Sequence, residues 1–259
     1  MPAKRELYSD NEHSIFYGET GGMCPLCTLP ILYIKPGSKK PTKGYEVAHI
    51  YPLNPTPAQL HALNGCEVPV DINALSNVIA LCPTCHTKYD KDFKVDEFVK
   101  LKQIKDGFLS EANAKYTASH HTIQDEVCAI LDAIASFEFD NAALTAPPFD
   151  VAGVEKKLKT GMSPLQKQQI KIDAVAYYVP IRDHLRFLEM QDQAAVRILQ
   201  NQINSYYLAM NKQNPDNKDL VFNYIAQWIS AKTRKPILAS KVLTAFFIQN
   251  CEVFDASPN

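Results

Sequence analysis

The chain has 259 residues, about 1.7 times a typical domain length, which predicts two domains of ordinary size and excludes a disulfide mini-fold. Hydrophobic residues make up 46% and charged residues 21%, the balance of a chain that buries a core rather than of a disordered one. Lys and Arg number 27 against 28 Asp and Glu, a formal charge of −1, so no global positive field pulls the molecule onto nucleic acid, and any such contact must be local or delivered by a partner.

The first residues, Met1 to Glu6, hold no apolar stretch of signal-peptide length, and no apolar run reaches the roughly 18 residues of a membrane span, so a cytoplasmic location without membrane contact is expected. From about residue 6 to 95 the chain reads as short pieces. A Gly21-Gly22 turn is followed by a β-like run over 31–34, a loop over 36–41 opened by Pro36-Gly37, and a second β-like run over 45–50 that ends at Pro52. Residues 54–57, Asn-Pro-Thr-Pro, break the pattern before the apolar run over 78–81.

After residue 95 the period changes to 3.6, with Val95, Phe98, Leu101, Ile104 and Phe108 on one helix and Ile123, Val127, Ile130, Leu131 and Ile134 on another over 122–137. Residues 138–162, with Pro147-Pro148, read as a linker. Ser163-Pro164 then reads as an N-cap with proline at the first helical position, and helices are expected over 164–178, 181–191, 193–211, 217–231 and 237–251, with Pro180 separating the first two. The wide apolar faces of the last two, carried by Phe222, Ile225, Trp228 and Ile229 and by Leu238, Val242, Phe246 and Phe247, are expected to be core. Lys156, Lys157, Lys159, Lys167 and Lys171 are read as solvated charge.

Four of the seven cysteines fall into two Cys-x-x-Cys pairs, Cys24/Cys27 and Cys82/Cys85. Each pair offers two thiolates from one tight turn, and in both a proline follows the first cysteine. Two such pairs fill a tetrahedral structural zinc site, and in a reducing compartment the pattern means metal more readily than disulfide. Cys66, Cys128 and Cys251 are scattered and are expected to pack as small hydrophobes.

Between and beside the pairs stand His49, at the end of the Glu46-Val47-Ala48-His49-Ile50 run, Asn77 just before the 78–81 run, and His86 immediately after Cys85. With the downstream Tyr89-Asp90, this text over residues 24–90 resembles the HNH endonuclease family in its zinc-knuckle form. The resemblance implies an α+β chain: an N-terminal ββα-metal domain with a four-cysteine zinc over 1–118, in which a hairpin bears His49, a loop bears Asn77 and a helix starting near Cys85 bears His86. An all-α domain over 119–259 follows it.

Phosphodiester cleavage needs a water made nucleophilic beside phosphorus and a cation that takes up the charge of the leaving oxygen. His49 suits the first task as general base, and His86, fixed by the rigid zinc turn, suits the second as ligand of a catalytic Mg²⁺ or Mn²⁺. By resemblance, Asn77 either braces the hairpin loop or contributes an oxygen to the metal or its waters. Many family members carry Asp or His just before the base; here that position is Ala48, so the missing ligand is sought in Asp90, Glu46 and Asp71, in that order. His13 and His61 are read as surface residues. Lys35, Lys39, Lys40 and Lys43 cluster beside the hairpin and are expected to contact DNA phosphates, while nothing suggests a base-reading element.

The C-terminal run over 245–254 resembles effector proteins of bacterial ABC-three component defence systems, which implies that the helical domain docks a nuclease onto an SMC- or ABC-type ATPase partner in anti-phage defence. Two other readings stand beside the DNA endonuclease: a zinc-stabilised nucleic-acid or protein binding module without catalysis, which Ala48 favours, and an RNase of the same chemistry.

Overall fold

The computed structural model describes residues 3–138 and 161–250. Most of the expected linker, together with Lys156, Lys157, Lys159 and Cys251, lies outside the described residues. Backbone contacts divide the chain into two units, Met1–Asn113 and Ala114–Asn259, each with its own hydrophobic core.

The first unit opens with helix α1 (Asp10–Glu19), started by a capping box in which the Ser9 side chain accepts from the Glu12 N–H and the Glu12 carboxylate accepts from the Ser9 N–H. At its end Gly22 has φ +76°, and a Cβ there would meet the Tyr17 hydroxyl at 2.8 Å, so only glycine turns the chain here into the first cysteine pair. Strand β1 (Leu32–Ile34) falls in the expected β-like run and pairs antiparallel with β2 (Pro41–Lys43), so the expected loop over 36–41 is the turn of an exposed hairpin. A two-stranded sheet pairs β3 (Glu46–His49) antiparallel with β4 (Val78–Leu81), placing His49 opposite Val78 and Ala48 opposite Ile79. All four β4 residues are fully buried, which explains why the strand reads as an unbroken apolar run instead of an alternation.

The connection from β3 to β4 holds the short helix α2 (Pro57–Ala62) and a 3-10 turn over Leu75–Asn77. Thr56 caps α2 with Pro57 at its first turn, so the segment expected to be broken by proline starts a helix instead. Helix α3 (Pro83–Lys91) follows β4 directly and packs on both strands; its N-cap is Cys82, whose sulfur accepts the Cys85 N–H. Helix α4 (Val95–His120) brings Phe98 and Leu101 into this core. Lys105 on α4, 1% exposed, is held by both carboxylate oxygens of Glu19 on α1 at 2.7 and 2.8 Å, the pairing that lets a buried ammonium stay in an apolar core.

The elements described in the second unit are all helices: α5 (Val127–Ser136), α6 (Pro164–Ala176), α7 (Tyr178–Gln191), α8 (Ala195–Gln213), α9 (Lys218–Thr233) and α10 (Ile237–Asn250). Helix α5 starts later than its periodicity suggests, because the preceding segment docks on α8 through Gln124, whose N–H donates to Gln202 and whose side chain donates to the Ala195 carbonyl. The break between α6 and α7 falls at Tyr177, not at Pro180. Pro180 sits in the first turn of α7, where backbone N–H groups have no helical partner to lose. Helix α10 is apolar on nearly every side and packs against α5, α6, α7 and α9, the arrangement such a helix requires. Trp228 on α9 stacks on Tyr206 of α8 at 4.5 Å, and Phe222, Ile225 and Ile229 on α9 with Val242, Phe246 and Phe247 on α10 are buried as their sequence suggests, whereas Leu238, also expected in the core, is 74% exposed at the start of α10. Among the described residues no helix is long and apolar enough to cross a membrane.

Candidate active site

The sulfur atoms of Cys24, Cys27, Cys82 and Cys85 all lie within 4.8 Å of one another, with Cys27 and Cys82 3.6 Å apart. A tetrahedral ion with bonds of about 2.3 Å to sulfur sets its ligands about 3.8 Å apart, so the four thiols fit a structural zinc. The turns are built to hold thiolates: the Cys82 N–H points at Cys24 Sγ and the Cys85 N–H at Cys82 Sγ, each at 3.4 Å. Burial pushes the Cys24 thiol up, but the N–H groups of Cys82, Cys27 and Leu26 outweigh it and bring it down to about 7. Burial and the neighbouring thiols push Cys85 the other way. Thiols this close oppose one another's ionisation, and a divalent cation is the group that allows all four to ionise together.

The zinc turn leads straight into the second cluster. His86, on the first turn of α3, is 5% exposed. Its Nδ1 is hydrogen-bonded to the Glu46 carboxylate at the start of β3, while Nε2 lies 3.2 Å from Asp90 one helical turn on, without the geometry of a hydrogen bond. The two carboxylates therefore engage opposite sides of one imidazole. Asp71, the third carboxylate considered for this place, is elsewhere: it accepts the N–H of Asn73 at 2.9 Å.

His49, at the end of β3, is 4% exposed. Its Nε2 lies 3.0 Å from Asn73 Oδ1, and its Nδ1 is buried without a partner. Burial lowers its pKa below the ordinary 6.5, and the charges of Arg5 and His86 act in the same direction against Asn73 and Asp90. The ring is thus neutral near pH 7 with one bare acceptor nitrogen. Its backbone is fixed from α3, where the Tyr89 hydroxyl donates to the Ile50 carbonyl at 2.7 Å.

His49 and Asp90 line one pocket of about 280 Å³ together with Arg5, Asn54, Thr56 and Gln59. Asn77 is not part of it. Its Oδ1 accepts the Tyr51 N–H at 2.8 Å and its Nδ2 donates to the carbonyls of Tyr51 and Ile72. Of the two roles left open for Asn77, this geometry fits the brace, tying the chain just after His49 to the loop before β4.

Lys35, Lys39, Lys40 and Lys43 are all exposed around the β1–β2 hairpin. Lys43 alone is tethered, 4.6 Å over the Tyr45 ring and 3.3 Å from the His13 ring, which makes His13 a half-buried support rather than a surface residue; His61 is exposed. Sequence reasoning passed over Asn73 and Arg5. No spacing announces either, since both reach His49 from chain segments that only the fold brings together.

Residues 24–92 match the HNH endonuclease family model, and residues 114–254, just over half of the chain, match C-terminal domain 11 of the ABC-three component (ABC-3C) systems. No curated protein matches the chain. With its two-stranded sheets and cysteine cluster followed by a helical region, the chain belongs to the ABC-three component proteins that carry C-terminal domain 11, here behind an HNH endonuclease domain.

Proposed function

We infer that the protein is a metal-dependent DNA endonuclease or nickase, with His49 as general base. The observation that carries this reading is the buried, unpartnered Nδ1 of His49 on a ring that lines a pocket shared with Asp90 and Arg5. A binding module has no use for a buried basic nitrogen left without a partner, because such an atom costs stability.

His86 Nε2 and Asp90 would hold the catalytic Mg²⁺ or Mn²⁺, and Glu46, on Nδ1, would orient the ring from behind, as carboxylates do for ligating histidines. Such an ion, when bound, offsets the charge that grows on the phosphate and on the departing sugar oxygen. His49 Nδ1 takes a proton from water, the water oxygen bonds to phosphorus, and the bond from phosphorus to one sugar oxygen breaks, that oxygen leaving with a proton from solvent. Arg5 neutralises the phosphate in the pocket, and the lysines at 35, 39, 40 and 43 hold the flanking backbone without reading bases. The thiolate-rich zinc site suits a reducing cytoplasm.

The helical unit serves to dock this nuclease onto other components of its ABC-three component system, an ABC-type ATPase among them, in anti-phage defence. The match of 114–254 to a domain of those systems supports this. So do the exposed Leu165, Met190 and Leu238 on helices whose other faces fill the core.

Ala48 favours the second reading, a zinc-stabilised binding module, since it leaves no ligand where many HNH domains have one. Incubating supercoiled plasmid or structured RNA with the purified chain, alone and with its genomic neighbours, decides between them. Mg²⁺- or Mn²⁺-dependent nicking of DNA that chelation stops is the expected result; binding without cutting under every condition supports the module, and cutting of RNA alone supports an RNase.

A further inference from the structure

Asn73 belongs to no motif, yet it is the residue that holds the His49 side chain, through Oδ1 at 3.0 Å from Nε2. Its other amide atom, Nδ2, lies 3.0 Å from the backbone carbonyl of Lys4. A carbonyl oxygen can only accept, so the atom facing Lys4 must be the NH₂ group. The oxygen is then the atom turned to His49, and because that oxygen also only accepts, Nε2 must carry the imidazole proton. A neutral imidazole has one such proton, which leaves Nδ1 bare. The chain's first residues thereby decide which nitrogen of His49 is basic.

The rest of the arrangement keeps Lys4 and Asn73 in place. Ala3 and Asn54 exchange two hydrogen bonds, at 2.8 and 2.9 Å. The Tyr8 hydroxyl donates to the Asn73 carbonyl at 3.2 Å, and Asp71 accepts the Asn73 N–H at 2.9 Å. The same segment carries Arg5 into the pocket that His49 lines.

We propose that Asn73 is a positioning residue that fixes the Nε2-protonated tautomer of His49, and that the segment over residues 3–8 sets the orientation of Asn73 through the Lys4 carbonyl. This rests on His49 being the general base. It adds that the base is correctly protonated only while the N-terminal segment is clasped against the Asn54 and Asn73 loops.

The test uses the full chain in two readouts. Imidazole ¹⁵N shifts of the wild type should report His49 protonated at Nε2, and those of Asn73→Ala a mixture of tautomers; a wild-type ring protonated at Nδ1 overturns the proposal without any activity being needed. In Mg²⁺-dependent plasmid nicking, Asn73→Ala should lower kcat by more than about threefold but by less than the roughly 10²–10⁴-fold that removing a general base costs, with KM and zinc content unchanged. Asn73→Asp keeps an acceptor for Nε2–H and adds a negative charge to a ring otherwise faced by Arg5 from the segment and by His86 and Asp90 from α3. It should therefore cut faster than Asn73→Ala at high pH, with its acid limb moved to higher pH than in the wild type. If Asn73→Ala cuts within threefold of the wild type while His49→Ala is inactive, Asn73 only braces its loop and the proposal fails with the base assignment intact. If the wild type cuts no nucleic acid, it is the functional reading itself that fails.

Discussion

His86 and Asp90 stand one turn apart on α3 with Nε2 3.2 Å from the carboxylate, while the other ring nitrogen of His86 is held by Glu46 from β3. One face of the imidazole is thus tied to the strand that carries His49, and the other is turned toward the carboxylate that shares the His49 pocket. A histidine ligand is normally held in this way, with its second nitrogen on a carboxylate behind it. Glu46→Gln should weaken Mn²⁺ binding by about 10- to 100-fold, and His86→Ala should abolish it, both read from the paramagnetic resonance of free Mn²⁺. Equal Mn²⁺ affinity in wild type and His86→Ala would remove His86 from the metal site.

The zinc site should behave as a folding element. One zinc per chain is expected by elemental analysis, and Cys82→Ser should cost more than a ligand, because Cys82 also caps α3, the helix that carries His86 and Tyr89. Losing such a cap costs about 1 kcal/mol and losing the metal several times more, so the first unit should unfold while the circular dichroism of the helical unit persists. Soluble, folded, zinc-free protein would contradict this.

The acid limb of the cleavage profile carries a sign that follows from burial. A general base works only when neutral, so activity falls as pH drops through the His49 pKa. Burial lowers that pKa from 6.5, with Arg5 and His86 adding to the shift, and a metal ion held nearby would lower it further. The midpoint of the limb should therefore lie below 6.5. A midpoint above the ordinary histidine value would mean that another group titrates.

The exposed lysines make a prediction about salt. If Lys39 and Lys40 each neutralise one phosphate, the double alanine variant should lower the slope of log affinity against log salt by about two and weaken binding to all sequences alike. Lys43, tethered to Tyr45 and His13, is the less adaptable contact. An unchanged slope would leave the lysines as solvated charge.

Much of the site was legible because its residues announce themselves by spacing. The two Cys-x-x-Cys pairs, the buried run of β4 and the order of His49, Asn77 and His86 all lie in local text. So do the late helices, whose 3.6-residue periodicity located them within a few residues. What escaped was of two kinds. The capping boxes Ser9-Asp10-Asn11-Glu12 and Thr56-Pro57-Ala58-Gln59 are readable signals of α1 and α2, but the first was passed over and the prolines at 55 and 57 made the second read as a break. Asn73 and Arg5 were not readable at all. Their roles arise from hydrogen bonds and charges across dozens of residues, including the Asn73 link to Lys4, and no local period encodes a contact of that range.

The most direct measurement is plasmid cleavage by His49→Ala beside the wild type, in the same divalent metal and with zinc content determined for both. Wild type should convert supercoiled plasmid to nicked or linear forms, and His49→Ala, equally folded and zinc-loaded, should be slower by at least about 10²-fold. Cleavage by His49→Ala at the wild-type rate would contradict the account, because the bare nitrogen on which it rests would then have no part in the chemistry.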